Sequence, residues 1–146
     1  MTTIPLQLPI GYTLRPDVAA VADYLRLREI AGLTPRSVAA AEAGLPRTVF
    51  GVTIEHDGRV VAMGRIVGDG ALCLQVADIA VDPAHQSRGL GKAVMAALMA
   101  HVADRASAEV YVNLIADGDA HRLYAQFGFE PVAPLSQGMA CWVHTR

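Results

Sequence analysis

Residues 85–95, His-Gln-Ser-Arg-Gly-Leu-Gly-Lys-Ala-Val-Met, put two glycines and two cations in a turn that runs directly into an apolar helical pattern. Bare backbone and positive charge at the start of a helix suit a phosphate. The first N–H groups of a helix have no partner of their own, and the macrodipole favours an anion beside them. Three loops share this grammar. A P-loop needs GxxxxGK[ST]; here Gly91-Lys92 is present, but Gln86 stands at the first glycine and Ala93 at the hydroxyl position. A dinucleotide fingerprint needs GxGxxG, and Val94 occupies the third glycine of a loop that follows a meander and opens no βαβ unit. The third pattern, Q/R-x-x-G-x-G/A between a strand and a helix, is met by Gln86, Gly89 and Gly91. A plain surface turn before an amphipathic helix needs one glycine, not this whole string.

The surrounding elements must hold that loop. A first helix is expected from Asp17 as N-cap, with Val18, Val21 and Leu25 on one face and Gly32 as its stop. A second, shorter helix is punctuated by Thr34 as N-cap, Pro35 at the first helical position and Gly44 past its end. Residues 49–55 and 59–67 flank His56-Asp57-Gly58, a hairpin signal, and Gly68-Asp69-Gly70 leads into a third strand over 71–81. In that third strand Leu72, Leu74 and Val76 keep one alternation while Ile79 and Val81 sit on the other. One extra residue near Ala77-Asp78, a β-bulge, restores a single apolar face; a strand buried on both faces explains the same pattern.

After the loop, Leu90, Val94, Leu98 and Val102 mark a helix to about Asp104, and residues 109–116 read as a strand. Strand, helix, strand without a hairpin turn implies a parallel pair with a right-handed crossover. Asp117 or Asp119 caps a short helix whose Leu123 and Phe127 face the core and which Gly128 ends; a final strand is expected over Gly138–His144. The fold class is α+β, with a mixed, mostly antiparallel sheet and helices on both faces.

Composition narrows the function classes. A chain of 146 residues with 53% hydrophobic and 18% charged residues is expected to form one domain over 1–146 with its own core. Its net charge of −2, with Lys92 as the one lysine, gives no basic block for nucleic acid. The apolar run Ala93–Ala100 is too short to span a bilayer, and the first residues carry no export pattern, so a cytoplasmic protein with no membrane partner is expected. The five histidines show no ligand spacing, and no metal is expected. Cys73 and Cys141 read as two buried reduced thiols.

Two separated stretches, VDPAHQSRGLGKAVM and LYAQFGF about one helix and one strand later, carry a further likeness. At this spacing the sequence resembles the GNAT superfamily of acyl-CoA N-acyltransferases, most strongly from Leu74 to Phe129. The resemblance implies acetyl-CoA as co-substrate and no metal. It implies that Gln86, Ser87, Arg88, Gly89, Leu90, Gly91 and Lys92 meet the pyrophosphate. It also implies that a bulged strand, splayed from its parallel partner, presents the backbone of Ile79, Ala80 and Val81 to the acyl-pantetheine arm, which favours the bulge. Tyr124, in LYxxxGF, takes the place of a tyrosine that protonates the leaving sulfur in many members; packing alone is the competing role. The family usually works by direct attack in a ternary complex, so neither cysteine is needed as a nucleophile.

Some roles stay open. Asp78 beside the bulge is the candidate base, with Glu29, Glu42 and a water chain as alternatives. Where the family often has an asparagine before the last helix, this chain has Asp117-Gly118-Asp119, and Asn113 is the substitute pantetheine contact. The acceptor, a small-molecule or peptide primary amine, is shaped by residues 24–46 and the C-terminal strand, a stretch poor in diagnostic groups. A non-catalytic acyl-CoA sensor is the alternative function. Whether two copies pair as a homodimer is left open.

Overall fold

Five strands form one sheet in the order β1-β2-β3-β4-β5, in a computed structural model that describes residues 4–145. The strands are β1 (Tyr12–Arg15), β2 (Phe50–His56), β3 (Arg59–Gly68), β4 (Cys73–Val81) and β5 (Tyr111–Asn113). The first four pair antiparallel, and β4 and β5 are parallel. The crossover between them is α3 (Leu90–Arg105), whose Leu90, Val94, Leu98 and Val102 are buried against the sheet. On the other face α1 (Val21–Ile30) and α2 (Val38–Gly44) cover Met63 and Ala80. The expected α+β class, with a mostly antiparallel sheet between helices, is what forms.

Four expectations fail, three of them for a tertiary reason. The first helix starts at Val21, not Asp17, because the chain bends at residues 16–17 and crosses β2 at Val18 before the helix begins. Gly51 permits this crossing: a Cβ there would lie 2.7 Å from the Val18 Cα. The second helix is capped by Ser37, whose Oγ accepts from the Ala40 N–H at 3.1 Å, rather than by Thr34. Thr34 stays outside the helix and offers its carbonyl to Arg28. Residues 138–144 form no strand; Met139, Trp142 and Val143 are exposed on an extended segment. A strand exists only where a neighbour completes its ladder, and no described strand pairs with this segment. The strand β1 is only four residues long and has no counterpart among the expected elements. Both thiols, expected buried, are exposed.

The bulge is present. Met63 pairs with Ala80 and Arg65 with Ala77, so Asp78 and Ile79 together oppose Gly64 alone. Asp78 takes φ +58°, a left-handed conformation that aspartate tolerates better than most side chains. The extra residue turns Ile79 and Val81 to the same face as Leu74 and Val76, all four against the α3 side of the core. Gly64 is required here, since a Cβ would lie 2.5 Å from Val94 Cγ1 and 2.6 Å from Ile79 Cδ1.

Candidate active site

The parallel ladder between β4 and β5 runs only from Cys73↔Tyr111 to Gln75↔Asn113. Beyond Gln75, β4 continues to Val81 with no described strand paired on that side, while the chain after Asn113 leaves the sheet. Between them opens a cleft of about 450 Å³, lined by Val76, Asp78 and Ile79 on one wall and Leu114, Asp117 and Tyr124 on the other. A buried carbonyl or N–H normally finds a partner; a strand edge facing a cleft is therefore a place for ligand backbone-like groups.

Tyr124 lies on α4 (His121–Ala125) and is 9% exposed, edge-on to Phe129 with ring centroids 6.4 Å apart. Burial first, and the Asp117 carboxylate second, push its hydroxyl above the ordinary phenol value of 10.0, so it holds its proton at neutral pH.

Asp78 is not a free carboxylate. Its Oδ1 accepts from Arg28 Nη1 at 2.6 Å and from the Tyr24 hydroxyl at 3.2 Å, and its Oδ2 accepts from Arg65 Nε at 2.6 Å. Both ion pairs are largely buried, with side-chain exposures of 7% for Arg28, 8% for Asp78 and 18% for Arg65. Arg28 is held again by the Thr34 carbonyl, through Nε at 2.9 Å and Nη2 at 2.6 Å, and Arg65 donates to Thr48 Oγ1 at 3.1 Å. Burial, and then the Asp78 charge, push the Tyr24 hydroxyl up as well. This network joins α1, β3 and the bulge, and sequence reasoning missed all of it except Asp78. The available signal was Tyr24 and Arg28 at i and i+4 on one helix face.

The glycine loop lies at the other end. Ser87 (φ +63°) and Gly89 (φ +78°) both take left-handed backbone, and Gly89 begins α3 with no side chain capping it. Arg88, Gly89 and Lys92 line a cavity of about 310 Å³ whose far wall is Gln7, Leu8 and Pro9. Arg88 Nη1 donates to the Tyr12 hydroxyl at 2.8 Å, which leaves that hydroxyl to donate to His85 Nδ1 at 2.7 Å. Uncapped N–H groups, a cation on each side and room for a compact dianion fit a pyrophosphate.

The remaining candidates divide. Ile79 lines the cleft, whereas the side chains of Ala80 and Leu90 are buried and leave only their backbone for a ligand. Val81 packs on the core, with its carbonyl 3.5 Å from Gln86 Nε2. Gly91 faces Leu123, where a Cβ would sit 3.4 Å away. Asn113 is turned to β4: its Oδ1 accepts from Gln75 Nε2 at 3.1 Å. Glu29 and Glu42 are exposed and do not line the cleft. Among the described residues no cluster of three His, Cys, Asp or Glu could hold a metal, and no helix is long and apolar enough to cross a membrane.

A sequence model of the acetyltransferase (GNAT) family matches residues 19–129. The chain belongs to that family. A GNAT relative in Arabidopsis thaliana, the chloroplastic GCN5-related N-acetyltransferase 1, is 41% identical over 70 residues, covering 47% of this chain and 36% of that protein. The chain spans less than half the length of the curated relatives it matches. Among solved structures, a Staphylococcus aureus protein of unknown function, described as a probable acetyltransferase, is 39% identical with a TM-score of 0.86; the match covers 90% of this chain and 99% of that one. A GCN5-related N-acetyltransferase from Ralstonia eutropha is 25% identical with a TM-score of 0.65, covering 88% and 99%. The GNAT match takes in α1, the bulged β4, the loop before α3 and Tyr124, and with them the whole lining of the cleft; the far wall of the loop cavity, Gln7 to Pro9, lies before it.

Proposed function

We propose that this protein is an N-acetyltransferase that moves the acetyl group of acetyl-CoA to a primary amine by direct attack in a ternary complex. The observation that carries the reading is the parting of β4 from β5 beside Tyr124, with the uncapped start of α3 at the far end of the same strand. Acetyl-CoA, when bound, supplies an activated thioester. The N–H groups of residues 87–92, with Arg88 and Lys92, hold its pyrophosphate. The free edge of β4 at Ile79–Val81 hydrogen bonds the pantetheine arm, and an N–H there stabilises the charge developing on the thioester oxygen.

The amine nitrogen forms a bond to the acetyl carbon, the carbon–sulfur bond breaks, and the amine gives up a proton. Tyr124 delivers its own proton to the departing sulfur; its raised pKa keeps that proton in place until the thiolate forms. With both Asp78 oxygens held by guanidinium groups, we assign Asp78 to positioning: it fixes the bulge, and the proton leaves the amine through water. The protein works in the cytoplasm on this reading, although the Arabidopsis relative is chloroplastic. Release of free thiol from acetyl-CoA in the presence of an amine panel tests the proposal. A protein that acetyl-CoA stabilises against heat, yet that releases no thiol with any amine, is a sensor and not an enzyme.

A further inference from the structure

We propose that the amine acceptor is a small molecule that also carries a carboxylate or phosphate group, and that Arg36 binds this anion at the mouth of the cleft. The inference rests on the acetyl-transfer reading for the reaction, and on the charges around the cleft for the acceptor class.

Ionisable groups reach the cleft from every element that lines it. They are Arg28 from α1, Arg36 from the turn before α2, Asp78 from β4 and Asp117 from the chain after β5. Tyr124 is there as a neutral hydroxyl. Two guanidinium groups therefore face two carboxylates. Arg28 is spent on Asp78, which Arg65 also holds from behind the lining, so Arg36 is the guanidinium left for a ligand. Among the described residues Arg36 forms no ion pair. Only its Nη1 is engaged, by long contacts to the Thr34 and Pro35 carbonyls at 3.3 and 3.4 Å.

Arg36 is nevertheless placed. Its guanidinium carbon lies 4.8 Å from the centroid of the Trp142 ring, so the indole holds the charge from the C-terminal segment. A guanidinium held over an aromatic ring still has N–H groups to donate. That planar fork matches a carboxylate or phosphate, and an ammonium has no attraction to it.

The cleft, about 450 Å³, has to admit the acyl end beside the amine.

The test is a matched set of straight-chain amines ending in carboxylate, phosphate, methyl or ammonium, assayed by thiol release from acetyl-CoA. The acids should surpass the alkylamine and the diamine in kcat/KM, and comparison of the carboxylate and phosphate arms identifies which anion is read. Arg36→Ala should shrink the ratio of acid to alkylamine by about tenfold or more, the usual loss for one charge-assisted contact. Arg36→Lys, a charge without the fork, should restore part of it. Equal kcat/KM across the set, or an unchanged ratio in Arg36→Ala, overturns the proposal. If no amine releases thiol, the acetyl-transfer reading is what fails. The anion site is then judged by titrating the N-acetylated acid and the N-acetylated alkylamine into protein held with coenzyme A, following the Arg36 side-chain N–H signals. Displacement by the acid alone upholds the site, and no selective displacement removes it.

Discussion

The glycine loop and the bulge, the two ends of the proposed acetyl-CoA site, hold positive charge in opposite ways. At the glycine loop, Arg88 and Lys92 are exposed, and neither forms an ion pair among the described residues. At the bulge, Arg28 and Arg65 are drawn inside and clamped on one carboxylate, with Tyr24 and the Thr34 carbonyl completing their shells. The first arrangement leaves charge available to an incoming anion. The second consumes its charge internally and yields a rigid wall, so the bulge keeps its shape whether or not a ligand is present. Placing cations near a cleft does not by itself make a binding site; what matters is whether the protein has already answered them.

The sharpest way to break this contrast is to remove the internal anion. Asp78→Asn leaves two buried guanidiniums facing each other without a counter-charge, and should cost about 3–5 kcal/mol of stability. Thermal melting of the variant checks this. A melting temperature equal to that of the wild type would mean that the clamp is not structural and would return Asp78 to consideration as a base.

Next in size is the open end. Gly89 needs φ +78°, where a β-branched side chain is strained, and its backbone lies on the loop cavity. Saturating acetyl-CoA at a hundredfold its Kd should stabilise the wild type by about 2.7 kcal/mol. Gly89→Val should lose most of that gain while its unliganded melt remains cooperative. Full retention of the ligand-induced shift would detach the loop from acetyl-CoA.

The smallest effect concerns the proton donor between the two ends. Tyr124→Phe keeps the ring against Phe129 and removes the hydroxyl. Acetyl-CoA affinity should hold while kcat falls about tenfold, less than the ~10²-fold or more usual for a general acid because a thiolate leaves readily by itself. Because the phenol's pKa is raised above 10.0, the donor form persists as pH rises through that value, and the loss of rate it causes begins only beyond it. The variant should lack this alkaline limb. An identical pH–kcat profile in the two proteins, with chemistry rate-limiting, would leave Tyr124 as a packing residue.

The same contrast explains what could be read in advance. The loop was legible because a run of contiguous residues, with glycine at Gly89 and an apolar period starting at Leu90, encodes a local backbone shape. The bulge was legible only in part: the change of parity between Val76 and Ile79 is local, but a strand buried on both faces gives the same pattern, and it was the family resemblance that favoured the bulge. The clamp was not, because Tyr24, Arg28, Arg65 and Asp78 come from three elements and nothing in any one of them announces the others. Thr34 looked like a helix cap and is instead a carbonyl reserved for Arg28. Residues 138–144 looked like a strand because their side chains favour one, but the ladder that makes a strand belongs to a neighbour, which periodicity does not report.

Gly64 has a consequence for distances rather than for energies. It is the point where three pieces meet: β3 beneath, Ile79 of the bulge on one side, and Val94 of the loop's own helix on the other. The loop is one end of that helix and the cleft opens at that bulge, so the gap between the two cavities is gauged at this one residue. A side chain here would act as a shim, lifting α3 off the sheet and lengthening the span between the loop and Tyr124. A co-substrate of fixed length would then no longer reach from one to the other. A residue that touches neither cavity thus serves as the ruler for both.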